Sequence, residues 1–297
     1  MSIYLPIAEI SINIYLLLTL GLSIGFLSGL FGIGGGFIAS PLLILAGVPA
    51  TIAVGTTTIQ VFASSSTGAI NHLQKKNVDF QIGSILIAGG SVGTLIGVYT
   101  LRKINTTGLV DNYLYIFYAT ILSLTALFIL FEAAKENVKK RKGKFKLHEH
   151  SWIHGLPFKI KFRKSKLYIS IFAPLTIGFF IGLLTGFTGI GGGFILVPCM
   201  IYILGMTTVS VIGTSLFNIT IVSLISVILQ VVVNQNLDFI LAIILIISSS
   251  LGAALASRFI EKIKIDYLKE AFGFLILIIA SLLIYELLRT PVYMQTI

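Results

Sequence analysis

The heptapeptide Gly-Ile-Gly-Gly-Gly-Phe-Ile occurs twice in the chain, at 32–38 and again at 189–195, each time inside a long apolar run. A proline follows each copy three residues later (Pro41, Pro198), and glycines stand three and seven residues before it (Gly29 and Gly25, Gly186 and Gly182). Four glycines in five positions break a helix, because glycine loses more backbone entropy there and costs about 1 kcal/mol against alanine. A helix broken at membrane depth frees amides and carbonyls that only a cavity or a ligand can accommodate. The pattern therefore predicts a duplicated fold with its functional groups at the two breaks.

The composition fits a polytopic membrane protein. The 297 residues are 56% hydrophobic and 11% charged, and the mean hydropathy of +1.00 lies far above that of a soluble domain. The net charge of +10 is local, since 12 of the 21 Lys and Arg lie between Glu132 and Tyr168. That pattern reads as the positive-inside signal of a cytoplasmic linker rather than as a nucleic-acid surface, and no nucleic-acid partner is expected. Anionic lipid headgroups are a second reading of the same cluster. The first nineteen residues carry no Lys or Arg and lack a signal-peptide pattern. The single cysteine, Cys199, excludes an intrachain disulfide or a cysteine-based metal cluster.

Apolar segments fall at about 12–31, 37–48, 50–71, 81–101 and 113–131, and the same order returns at about 169–188, 194–206, 207–233, 238–257 and 267–288. A crossing needs roughly 20 residues, so four segments of each half are long enough and the one after each glycine motif is short. That short segment reads as the return limb of a broken hairpin. The repeat extends beyond the motif: Gly55-Thr56 matches Gly213-Thr214, Gln60 matches Asn218, Asp79 matches Asp238 and Gly93 matches Gly252. We therefore expect an all-α, polytopic transmembrane protein of two homologous halves, residues 1–131 and 169–297, joined by a basic cytoplasmic linker at 132–168.

Loop charges favour five crossings per half. With the linker cytoplasmic, the inside then holds Lys75, Lys76, the linker, and Arg258, Lys262, Lys264 and Lys269, while the outside holds only Arg102, Lys103 and Arg289. An odd number makes the halves inverted and places both termini outside.

No metalloprotease or paired-carboxylate signature is present: there is no His-Glu-x-x-His and no pair of carboxylates at membrane depth. His148, His150 and His154 all fall in the linker. No metal, cofactor or enzymatic role is expected. Successive glycine amides leading into a helix form a concave set of N–H donors at its positive end, which suits an anion without a buried cation. Close helix packing is the alternative use of those glycines. Thr56 and Gln60 are four apart, as are Thr214 and Asn218, so each pair shares a helix face just after its motif. The candidate substrate-binding set is Gly32, Gly34, Gly35, Gly36, Pro41, Thr56 and Gln60 in the first half. Its counterparts in the second are Gly189, Gly191, Gly192, Gly193, Pro198, Thr214 and Asn218.

On these residues, the doubled Gly-Ile-Gly-Gly-Gly-Phe-Ile with its following proline and the two-halved layout, the chain resembles the sulfite exporter TauE/SafE family. The resemblance covers the whole length. It implies a secondary permease in the cell's inner (plasma) membrane, moving small organic or inorganic anions such as sulfite, sulfonates or related carboxylates. A dianion leaving a negative cytoplasm gains about 4.6 kcal/mol per 100 mV, so the charge argument favours export or facilitated passage. A coupling ion, H+ or Na+, is left open, as are a passive channel of the same fold and a non-transporting scaffold.

Overall fold

A computed structural model describes residues 2–31, 35–108, 110–142, 158–162, 164–165, 167–259 and 265–289. The sequence-predicted site residues Gly32 and Gly34 lie outside the described residues, as do linker residues 143–157 with their three histidines and the stretch 260–264 with Lys262 and Lys264.

The first half opens with a small antiparallel hairpin, β1 (Ser2–Leu5) and β2 (Ile10–Asn13), followed by α1 (Ile14–Phe31), α2 (Gly36–Leu45), α3 (Ala50–Gln74), α4 (Phe80–Asn105) and α5 (Val110–Lys142). The second half repeats that order: β3 (Lys159–Phe162), β4 (Leu167–Ser170), α6 (Phe172–Thr188), α7 (Gly193–Pro198), α8 (Thr208–Leu229), α9 (Phe239–Phe259) and α10 (Ile265–Arg289). Helix α7 continues as a π-helical turn, Cys199–Ile203, and α8 as another, Gln230–Asn234. All ten apolar segments are helices, and both glycine motifs fall between two of them. The hairpins were not expected from the sequence. Within the stretch 132–168, α5 runs on to Lys142 and β3 begins at Lys159.

Among the described residues, four stretches are long and apolar enough to cross a membrane: Phe80–Asn105, Val110–Phe131, Ser210–Asn234 and Phe239–Ala256. Helix α3 has the length but not the hydropathy, because it carries Thr56 to Thr58, Gln60 and Ser64 to Ser66. Its polar residues are tolerable because Thr56, Thr57, Thr58, Gln60 and Ser65 are wholly buried in protein, away from lipid.

Packing crosses between the halves: α4 lies along α6, α1 along α9, α3 against α8, and α5 against α10. Glycine permits the first two approaches. A Cβ at Gly93 would stand 2.0 Å from the Phe179 carbonyl oxygen, and one at its repeat mate Gly252 would stand 2.1 Å from that of Leu22. Small residues that let backbones meet are the usual means of holding membrane helices together, since lipid gives no hydrophobic drive between them. The opposite face of α4 carries Val92, Leu95, Ile96 and Tyr99, each exposed and apolar enough to face hydrocarbon. Helices α3 and α8 run antiparallel. The loop after α3 meets the start of α8 (Asp79 N to Thr214 Oγ1, 2.9 Å), and the loop after α8 meets the start of α3 (Asp238 N to Thr56 Oγ1, 3.2 Å).

Candidate functional site

The second glycine break is fully described and shows why the sequence needs those residues. Gly189, Gly191 and Gly192 have φ of +69°, +77° and +64°, a region where a side chain is strained and glycine is not. Gly189 ends α6 by donating its N–H to Thr185 O at 2.9 Å, and the Gly192 carbonyl starts α7 by accepting from Ile195 and Leu196. In the first break Gly35 has φ of +69°, and its carbonyl accepts from Ile38 and Ala39 in the same way. First-turn amides of both helices have no acceptor within their own helix.

The two breaks meet. The rings of Phe37 and Phe194, the second residues of α2 and α7, stack with centroids 5.0 Å apart and planes 24° apart. A Cβ on Gly36 would come within 2.7 Å of the Ile190 carbonyl oxygen and 2.2 Å of Val61 Cγ2. Val61 of α3 also lies 2.5 Å from where a Gly191 Cβ would be, so one side chain is wedged between both loops. Pro41 is buried in α2, and Pro198 closes α7 immediately before the π-helical turn. Neither proline has an N–H, so the carbonyls of Phe37 and Phe194 lose their intrahelical donors.

A polar set surrounds this meeting point. Ser40 Oγ lies 2.6 Å from Thr57 Oγ1 and donates to Thr188 O at 3.4 Å, and the Tyr118 hydroxyl donates to that same carbonyl. Gln230 Nε2 donates to Gly186 O at 2.9 Å, holding the end of α6. Gln60 is wholly buried with neither Nε2 nor Oε1 hydrogen-bonded, and Asn218, 1% exposed, has an unpartnered Oδ1. Lys75, Lys76, Arg102, Lys103, Lys159, Lys161, Lys164 and Arg289, the Lys and Arg whose side chains are described, are by contrast all exposed. Among the described residues no group of three or more His, Cys, Asp or Glu could hold a metal ion.

Thr56 and Thr214 are placed differently from the carboxamides. Each hydroxyl oxygen accepts the amide of the aspartate that opens the next helix of the other half. Those aspartates, a matched pair at segment starts in the sequence, tie several elements together. Asp79 Oδ1 caps α4 by accepting from Gln81 and Ile82, while its Oδ2 accepts from Ser165 N (3.1 Å) and Oγ (2.5 Å) in the β3–β4 turn. Asp238 Oδ1 caps α9 by accepting from Ile240 and Leu241, while its Oδ2 accepts from Ile7 N in the β1–β2 turn at 3.1 Å. Each hairpin thus clips the opposite half. The signal that could have revealed these caps was Asp just before an apolar run.

Comparison with known proteins agrees with this architecture. The family described as sulfite exporter TauE/SafE matches residues 17–283. The chain is 23% identical over 280 residues to the probable membrane transporter protein YunE of Bacillus subtilis, covering 91% of this chain and 97% of that protein. It is 28% identical over 271 residues to a probable membrane transporter protein of Xylella fastidiosa, covering 89% and 92% of the two chains. A shorter stretch of 49 residues is 47% identical to sulfite exporter TauE/SafE family protein 6 of Arabidopsis thaliana, covering 16% of this chain and 11% of that one. No solved structure matches it.

Proposed function

The chain belongs to the sulfite exporter TauE/SafE family, a family of multi-pass membrane transporters, and from that membership we propose that it is a secondary permease for small anions, organosulfur compounds or sulfite, bound where the two glycine breaks meet. The observation that carries this reading is the junction of two helix starts at Phe37 and Phe194, inside an interior where every described cationic side chain is exposed. Each helix start can stabilise negative charge by about 0.3 to 1 kcal/mol, and up to about 2 when partly buried. A buried Lys or Arg would cost about 2.5 to 3.5 kcal/mol on insertion scales, so neutral amides are the cheaper way to hold an anion there. The residues assigned to the site are Gly35, Gly36, Gly189, Gly191, Gly192, Gly193, Gln60 and Asn218, with Pro41 and Pro198 freeing carbonyls behind them.

The halves are proposed to be inverted in the plasma (inner) membrane. The support is the antiparallel packing of α3 against α8: two repeat-related helices that both cross a membrane and oppose each other require an axis lying in the membrane plane. Substrate then reaches the same junction alternately from either side as the halves move. Outward passage is the favoured direction, because a negative cytoplasm expels an anion without a coupled ion.

The test is thermal unfolding of the detergent-purified protein against sulfite, sulfate, thiosulfate, taurine, sulfoacetate and short carboxylates. A bound anion at 100 times its dissociation constant should stabilise the fold by about 2.7 kcal/mol. Stabilisation by cations or neutral solutes, with no anion effective, would overturn the reading.

A further inference from the structure

Building on the anion site just proposed, we propose that its ligand carries a hydrogen-bond donor of its own, an O–H or N–H placed beside the oxyanion, and that Gln60 and Asn218 read that donor. Their arrangement follows from the inventory of polar atoms around the junction. Several hydroxyls on α3 and α8 have already committed their protons to helix carbonyls, whereas Ser226 of α8 keeps an unpartnered Oγ. Thr57 donates to Ala53, Thr58 to Val54, Ser215 to Ile212 and Ser223 to Ile219. Such hydroxyls can only accept. The Thr56 and Thr214 oxygens are occupied by the amides of Asp238 and Asp79. Beside Ser226 and the Asn236 oxygen in the loop after α8, two carboxamides at repeat-equivalent positions of the two helices are left unpartnered. Gln60 offers an unpartnered donor and an unpartnered acceptor, whichever way its amide is turned, and Asn218 offers an unpartnered acceptor oxygen.

Gln60 immediately precedes Val61, the side chain wedged between the two glycine breaks, and follows Thr57, which is bonded to Ser40 of α2. Asn218 is the repeat mate of Gln60 on α8, the helix that packs against α3. The two carboxamides leave two acceptor oxygens and one amide group unpartnered, so a bare oxyanion would be well met by the glycine amides and would leave the carboxamide oxygens unpaired. A ligand with an oxyanion at one end and an O–H or N–H at the other satisfies both. The same two oxygens penalise any analogue lacking the donor, because a buried acceptor left unpaired keeps its full desolvation cost. The ligand class is therefore the hydroxylated, protonated or aminated small sulfonate, carboxylate or sulfur oxyacid.

The experiment compares matched pairs on the full chain in detergent, titrated by thermal shift and calorimetry: ethanesulfonate with 2-hydroxyethanesulfonate, and propionate with lactate. The donor-bearing member should bind about tenfold tighter in each pair. Gln60→Leu should collapse that ratio toward one, and its melting temperature should be at or above wild type because an unpaired buried amide is removed. Equal affinities within both pairs in the wild-type protein would overturn the donor inference and leave the anion site standing. If no member of either pair binds, nor any anion of the wider panel, the anion site itself falls and this inference falls with it.

Discussion

Gly93 and Gly252 show what a single residue decides in this chain. Their correspondence was visible in the sequence, but its reason was not, because the repeat says nothing about which helix approaches. The structure supplies it: each leaves room for a carbonyl of the helix alongside, Phe179 in one case and Leu22 in the other. Gly93→Ala and Gly252→Ala should each destabilise the detergent-solubilised protein by about 1 to 3 kcal/mol, the range for overpacking a close contact. Val92→Ala, one position round the helix on the exposed face, should stay within about 0.5 kcal/mol. Unfolding midpoints of the three variants decide it, and equal effects at positions 92 and 93 would contradict the packing. The glycines and carboxamides of the proposed site could be picked out of the sequence at the same scale. The partners of Thr56 and Thr214 could not, since a hydroxyl four residues from an amide looks like a ligand-facing pair until the opposite loop is placed on it.

At the scale of elements, the helices and both breaks followed from apolar length and glycine density, while the two hairpins did not. Their strands are four residues each, too short for alternation to stand out, and β1–β2 merges into the apolar run of α1. What fixes them is tertiary: a turn amide from each hairpin reaches a buried aspartate of the other half. Asp79→Asn and Asp238→Asn remove the charge from bonds of about 1.5 to 3 kcal/mol each, so either variant should lose stability on that order. The two carboxylates serve different helices and different hairpins, so the double variant should lose the sum of the single losses to within about 0.5 kcal/mol. Denaturant midpoints of the four proteins measure this, and a double variant no worse than one single would mean that both aspartates support one shared element.

For the whole molecule, the sequence made the duplication plain through offsets that barely drift, and it was silent about partnership. Neighbours in sequence are not the main neighbours in space: α4 lies along α6 and α1 along α9, so the helix pairs that hold the bundle join one half to the other. Inversion predicts opposite exposure for two equivalent loop residues, Lys76 and Gln235, which share a positive φ of 56° and 50°. With Cys199 replaced by serine, Lys76→Cys should react with an impermeant thiol reagent only from the cytoplasm, and Gln235→Cys only from outside. Labelling of both from one face would make the halves parallel. The exchanged partnership also bears on how the chain is made. Synthesis delivers α1 to the membrane well before α9 exists, and Asp79 before the turn that bonds it. The first half therefore waits unfinished in the bilayer, its glycine faces bare, until translation reaches the last third of the message, and the cell must shelter that intermediate for as long as the ribosome takes.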